Sequence, residues 1–328
     1  MGTVKPSEPT FLDSAMVGLG SPRLRAFYEQ MERVIDWGSL AAMVAALPEY
    51  QPSPQGGRPS ISPLLMLKAT MVGRWHNLAD DALEDHLAEG ITVRRFVGLH
   101  AEDTPPDGTS FCRFRERLNR AGLMEKINKE IVRQLDAAGV LVKEGTLVDA
   151  TFIEARKGGI RDDGTPSRDP EAQYACKARK PYFGYKAHVA ADQSGIVTDL
   201  RVSGAALHDA RHFDELTANE KIAVFADSIY HKKERRGELL SRGVFDGIMY
   251  QRRRGQAHFT PYQMLHNRAV ATIRVAVEHV FARLKRMIGP KTRFRGMTAN
   301  RKHLWLSVMA LNLKRAKFLR TQLAATSV

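Results

Sequence analysis

The chain has 328 residues, 43% of them hydrophobic and 26% charged, and Lys and Arg outnumber Asp and Glu 50 to 36 for a net charge of +14. That hydrophobic share excludes a disordered tail protein, the length suits two domains better than one, and the charge favours a polyanionic partner: DNA, RNA or an anionic membrane face. The two cysteines, Cys112 and Cys176, are far apart and lack metal-ligand spacing, so no disulfide framework is readable and a reducing compartment is expected.

Residues 1–21 hold several Gly, Pro and Ser and read as a flexible N-terminal arm without an apolar signal core. From about Pro22 to Gly139 the pattern is helical: Leu24, Phe27, Met31 and Ile35 recur at spacings of three and four. Pro54 to Pro63 is a break. Ser62 then reads as an N-cap with Pro63 in the first turn, and Leu64, Leu67 and Met71 follow on one face. Asp80 to Leu87 and Leu118 to Leu135 continue as helices, and this part offers no good strand.

The texture changes at Gly145. TLVDATFI (Thr146 to Ile153) is β-rich with one Asp inside it, and Arg156 to Lys180 is polar and irregular. YKAHVAA (Tyr185 to Ala191) and IVTDLRV (Ile196 to Val202) alternate like strands around a Gln193-Ser194-Gly195 turn. Asp209 to Thr217 reads as helix, IAVFA (Ile222 to Ala226) as a short buried strand ended by Asp227, His231 to Ser241 as helix, and Phe245 to Tyr250 as strand. Phe259 to Ile288 is one long helix closed by Gly289-Pro290, and a last helix covers about Arg301 to Leu323. The fold expected is an all-α N-terminal domain (22–144) followed by an α/β, RNase H-like domain (145–328) whose mixed sheet is flanked by helices. No apolar run approaches the ~18 residues a membrane span needs, so no membrane is expected as a partner.

The charge is uneven. From Ser228 to Val328 there are 22 Lys and Arg against 4 Asp and Glu, a net +18, which leaves −4 for the rest. Within this basic segment Glu278 is the one carboxylate beyond Asp246. Arg274, Glu278 and Lys285 fall within roughly 40° of one another on a helix, beside the apolar arc of Val270, Ile273, Val277, Phe281, Leu284 and Ile288, which puts Glu278 at the margin of the buried face. Each acid also has a plain reading. Asp149 sits in a strand, on a solvated face or paired; Asp227 caps a turn, with Ser228 competing for that role; Glu278 pairs with Arg274 at i,i+4. Jointly they read differently. Two carboxylates from neighbouring strands and one from a packed helix form an oxygen-rich seat for divalent metal, and a pair of such ions activates a nucleophile and stabilises the leaving oxygen of a phosphodiester. Lys285 and Arg274 would then help to place DNA.

At these residues the sequence resembles the bacterial three-acid (DDE) insertion-sequence transposases, and most of all the insertion sequence five family. That family's third-acid helix carries Tyr, then Arg, Glu and Lys at fixed spacings; Arg274, Glu278 and Lys285 fill three places, and Ala271 stands where the Tyr would be. LVDATFIEA and VFADSIY match the first- and second-acid strands, Arg168 to Val197 the stretch between them, and ISPLLMLKATMVGRWHNLADDALEDHL with DGTSFCRFRERL the helical domain, so the likeness covers about residues 20 to 320. It implies Asp149, Asp227 and Glu278 as catalytic metal ligands, Mg²⁺ or Mn²⁺ as cofactor, and Arg274 and Lys285 as phosphate contacts. It also implies a helical DNA-binding and dimerisation domain, binding to terminal inverted repeats, cleavage and strand transfer into target double-stranded DNA, a homo-oligomer (a dimer), and a cytoplasmic, nucleoid-associated location.

Further basic clusters, Arg252, Arg253 and Arg254 and then Lys291, Arg293 and Arg295, either track a DNA backbone or are merely solvated. Arg113, Arg115 and Arg117, beside the core-like Phe111 and Phe114, are weaker candidates for DNA. Trp75, His188 and the His208-Asp209 pair read as structural. Three functions compete: an active transposase, a metal-dependent nuclease of the same fold that does not join strands, and a DNA-binding repressor that has lost catalysis.

Overall fold

The computed structural model describes residues 11, 19–51, 60–160, 164–165, 168–177, 179–252 and 255–326. Most of the expected arm, part of the Pro54–Pro63 break, and both Arg253 and Arg254 lie outside these. The chain divides into two compact units, Met1–Leu135 with Ala316–Val328, and Asp136–Arg315. The expected boundary at Gly145 thus falls earlier, and the last residues group with the helices rather than with the sheet.

In the first unit, α1 (Pro22–Val34), α2 (Trp37–Ala45), α3 (Pro63–Trp75), α4 (Asp80–Glu89), α5 (Ile91–Val97), α6 (Gly108–Arg120) and α7 (Leu123–Ala137) follow one another. Their starts are chemically specified: Asp36 accepts from the Gly38 and Ser39 amides, Ser62 from Leu65 with Pro63 next to it, and Asp107 from Ser110 at 2.6 Å. The stretch read as continuous from Leu118 is broken at Gly122, whose φ of 63° is a left-handed conformation that glycine adopts without strain. Trp37, Trp75, Phe96 and Tyr28 form the aromatic heart of the unit, so Trp75 packs as expected. Arg115 is committed to Asp80 through two hydrogen bonds of 2.7 and 2.6 Å, and Arg117 lies over the Tyr50 ring, leaving Arg113 as the exposed member of that basic trio.

The second unit is built on one six-stranded sheet: β1 (Thr146–Glu154), β2 (Gln173–Lys177), β3 (Lys180–Ala191), β4 (Val197–Gly204), β5 (Ala223–Ala226) and β6 (Phe245–Ile248). The central order is β3-β1-β5-β6, with β1 antiparallel to β3 and parallel to β5, and β5 parallel to β6. On its other edge β3 pairs with β2 along its first half and with β4 along its second. Strand β2 lies inside the stretch read as irregular; its polar QYACK carries no apolar alternation and is drawn into the sheet by pairing with β3. The helix expected over Asp209 to Thr217 is a 3₁₀ turn, Asp209–His212, running into α8 (Phe213–Thr217). Then come a 3₁₀ turn at Ser228–Tyr230, α9 (Lys233–Ser241), α10 (Pro261–Ile288) and α11 (Met297–Thr326). A helical region followed by a mixed sheet flanked by helices is the RNase H-like layout expected. No helix among the described residues is long and apolar enough to cross a membrane.

α10 starts at a capping box between Thr260 and Gln263 and packs on β1, β5 and β6. Its buried stripe runs through Val270, Arg274, Val277, Val280, Phe281, Leu284 and Ile288. One charged residue therefore sits in an otherwise apolar seam, directly against the sheet.

Candidate active site

Val148 on β1 and Ala226 on β5 are the last paired residues of those parallel strands. Beyond them β5 stops while β1 continues, so Asp149 and Asp227 follow at neighbouring positions where the sheet opens. Asp227 caps the 3₁₀ turn: its Oδ1 accepts from the Ser228 amide at 2.5 Å and from the Ser228 hydroxyl at 3.1 Å. The cap reading of the sequence is thus met, but it engages one oxygen only.

Asp149 is largely enclosed, with 19% of its side chain exposed. The Ala150 amide donates to its Oδ1 at 2.7 Å, and Arg274 Nη2 donates to its Oδ2 at the same distance. Burial raises the Asp149 carboxyl above the usual carboxylate range; Arg274 opposes this most strongly, and the nearby Asp227 charge adds to it. Arg274 also donates to Met249 Sδ at 3.6 Å, while its Nε makes no hydrogen bond among the described residues.

Tyr230, three residues after Asp227, turns inward. It is 1% exposed and packs with Val148, Ala210, Phe213 and Ala226. Its hydroxyl is buried without a partner among the described residues, in electrostatic reach of Asp149, Asp209, Arg274 and Asp227. Sequence reading missed it; the spacing in ADSIY was the available signal.

Glu278 lies one turn along from Arg274 and is exposed, not at the margin of the buried face. Its helix neighbour Arg274 faces Asp149 instead, so the i,i+4 pair considered from sequence is not the one Arg274 makes. Among the described residues no three His, Cys, Asp or Glu side chains are grouped to hold a metal. Asp149 and Asp227 are hard oxygen donors of the kind a divalent ion takes, and one oxygen of Asp149 is already held by a cation.

Lys285 is exposed and, with Arg286, lines a cleft of about 560 Å³ whose other walls include Ala150, Phe152 and Tyr182. The Phe152 and Tyr182 rings stack at 4.4 Å. Lys291, Arg293 and Arg295 are exposed on the segment between α10 and α11, which is tied to β1 by the Thr292 amide donating to Glu154 O at 2.8 Å. Arg252 is exposed near the Phe259 ring.

Two family models match the chain: the "Transposase DDE domain" over residues 141–313 and the "Transposase domain (DUF772)" over residues 21–117. The chain belongs to the DDE transposases. No solved structure matches it. The first match covers the sheet, both aspartates and α10 of this transposase, and the second covers most of its helical unit. DNA is the partner and transposition the activity that the family implies for the transposase, and divalent metal ions are the family's general requirement.

Proposed function

We propose that this chain is the transposase of a bacterial insertion sequence of the insertion sequence five type. It binds the terminal inverted repeats of its element, cuts DNA at their ends and joins the freed ends to target DNA. The observation that carries this reading is the meeting of Asp149 and Asp227 at the open ends of two adjacent parallel strands, beneath a basic helix.

In this reading Asp149 and Asp227 hold the metal and Glu278 is the third ligand, brought by α10. Mg²⁺ or Mn²⁺ bound there supplies activation of the attacking oxygen, first of water and then of the 3′-hydroxyl, and stabilises charge gathering at phosphorus. Arg274 opposes the effect of burial on the Asp149 carboxyl and is the phosphate contact beside it. Lys285, Lys291, Arg293, Arg295 and Arg252 to Arg254 neutralise the DNA backbone and set its path. The helical unit serves DNA binding and dimerisation, since two ends must be held together, and the protein works at the nucleoid in the cytoplasm.

The test uses DNA carrying the element's ends. Asp149→Asn and Asp227→Asn should each abolish end cleavage and leave end binding intact. Either variant cutting as well as the wild type removes that residue from the site. Transfer of a pre-cut end into a plasmid separates a transposase from a nuclease that only cuts.

A further inference from the structure

Strand β5 ends its pairing at Ala226, opposite Val148, so β1 runs on from Asp149 with no strand on that side among the described residues. The cleft of about 560 Å³ lies along this free edge, lined by every residue from Ala150 to Glu154 together with Tyr182 and the end of α10. Thr151 and Ile153 belong to the sheet face that carries Asp149 and Phe152 to the other, because successive side chains alternate. At an open edge both faces reach the same space.

Three kinds of group meet there. The first is a flat apolar wall: the Phe152 and Tyr182 rings stack at 4.4 Å with 8° between their planes. Phe152 covers one face of the Tyr182 ring. Lys180 Nζ lies over that ring at 5.4 Å, at the end of an exposed side chain that can move aside. The second is backbone. The Ala155 amide donates to Phe183 O at 2.8 Å, so the odd-numbered residues of β1 turn their polar groups to β3 and the even-numbered ones to the free edge. At that edge the Ala150 amide is taken by Asp149 Oδ1, and Glu154 O by the Thr292 amide. The N–H and C=O of Phe152 face the same edge between them. The third is charge: Lys285 and Arg286, both exposed, line the cleft from α10.

A flat ring, a neighbouring donor and acceptor, and a cation form the set that an unstacked nucleotide takes. Its base stacks on the ring and bonds along its edge, and its phosphate meets the cation. The bases of a duplex are stacked on one another and offer no free face. We propose that the cleft receives a single unpaired nucleotide of the DNA being cut, with its base on Tyr182 and against the backbone of Phe152, and its phosphate on Lys285 or Arg286. This rests on the reading of the chain as an enzyme that cuts DNA ends. Phe152 follows Asp149 by three residues, about 10 Å along a strand. The nucleotide therefore belongs within about three positions of the cut, at the ~3.4 Å rise of a duplex strand. Glu154, the acid of the lining, suits the amino group of a base. A peptide strand would also pair with a free edge, but it has no use for two cations beside stacked rings.

The experiment uses the full chain and duplexes carrying the element's ends, with 5-iododeoxyuridine placed in turn at each of about three positions on either side of the cut. Under long-wavelength ultraviolet light this base cross-links to an aromatic ring stacked against it. One position should cross-link to the peptide that holds Tyr182. Binding is measured alongside on an end whose strands are left unpaired at those positions. Tyr182→Leu keeps an apolar cover on Phe152 without a flat ring and should bind this end about tenfold or more weakly, while Tyr182→Phe stays within about twofold of the wild type. Binding to an internal duplex fragment should be unchanged in both. Cross-links that map only elsewhere overturn the proposal. So does a Tyr182→Leu chain that binds the unpaired end like the wild type, which would leave the edge to a peptide strand. If Tyr182→Leu fails to fold, the cross-link on the wild-type chain decides alone. A wild-type chain that neither binds nor cuts the element's ends removes the enzyme reading and the nucleotide site with it; one that cuts them without the cross-link removes only the site.

Discussion

Arg274 on α10 donates to Asp149 on β1 at 2.7 Å across 125 positions of sequence. The two side chains are 10% and 19% exposed, so this is a largely buried ion pair. Such a pair contributes little net stability when intact, but removing one member strands the other's charge at a cost of roughly 3 kcal/mol. Arg274→Met should therefore lower the unfolding free energy by about that amount in chelator, read by urea denaturation. Mn²⁺ should stabilise this variant more than it stabilises the wild type, because a cation replaces the lost one at Asp149. Equal stability of the two proteins in chelator would show that the pair is not the partner Asp149 depends on.

That pair also marks the limit of what the sequence makes legible. The strands around Asp149 and Asp227 are readable because TLVDATFI and IAVFA are β-rich runs between turn residues, and α10 is readable from its apolar stripe. Partner choice is not local. The spacing of Arg274 and Glu278 suits a surface pair, yet the stripe that buries Val270, Val277 and Leu284 takes Arg274 with it and leaves Glu278 outside. Tyr230 follows Asp227 by three residues, and only the packing shows its hydroxyl buried without a partner among the described residues. Strand β2 is invisible for a different reason: Gln173–Lys177 is held by ladder bonds to β3 rather than by an apolar face, and its Tyr174 is half exposed.

Glu278 offers a clean separation of stability from activity. It is exposed, so Glu278→Gln should change the unfolding free energy by less than about 0.5 kcal/mol. As the proposed third ligand it should nonetheless lower end cleavage at least ~100-fold, since a direct ligand matters more than the outer-shell groups that already give such losses. Cleavage assays on a pre-formed complex with the element's ends would decide. Activity near the wild type would leave the chemistry to the two aspartates and sink the third-ligand assignment.

The segment between α10 and α11 is shaped to present its charges. Thr292, 2% exposed, donates its amide to Glu154 O and its hydroxyl to Asn300 Oδ1 at 2.6 Å, which turns Lys291 and Arg293 outward on either side. Arg295 follows, also exposed. Replacing Lys291, Arg293 and Arg295 together by Gln should weaken DNA binding on every sequence alike. The slope of log affinity against log salt should flatten by about 2 to 3, close to the ~0.9 per lost phosphate contact expected for duplex DNA. An unchanged slope would mean that these side chains are only solvated.

His188 on β3 makes the fold sensitive to acid. It is 1% exposed, its Nε2 lies 2.8 Å from Ser203 Oγ, and its ring meets His212 edge-on at 4.9 Å. Burial lowers its pKa from 6.5 to about 4, with His212 and Lys186 pushing the same way and Asp209 opposing them. The unfolded chain therefore binds a proton that the folded chain refuses. Its contribution to stability is complete above pH 6.5 and is lost as pH falls towards about 4. Between about pH 7 and about pH 5 the unfolding free energy should drop by about 2 kcal/mol from this group alone. His188→Gln, which keeps a polar group near Ser203 but does not titrate, should show a correspondingly shallower fall across that range in urea denaturation. Parallel curves for the two proteins would mean that His188 charges as easily in the fold as outside it, and that its buried neutral state is not what acid disrupts.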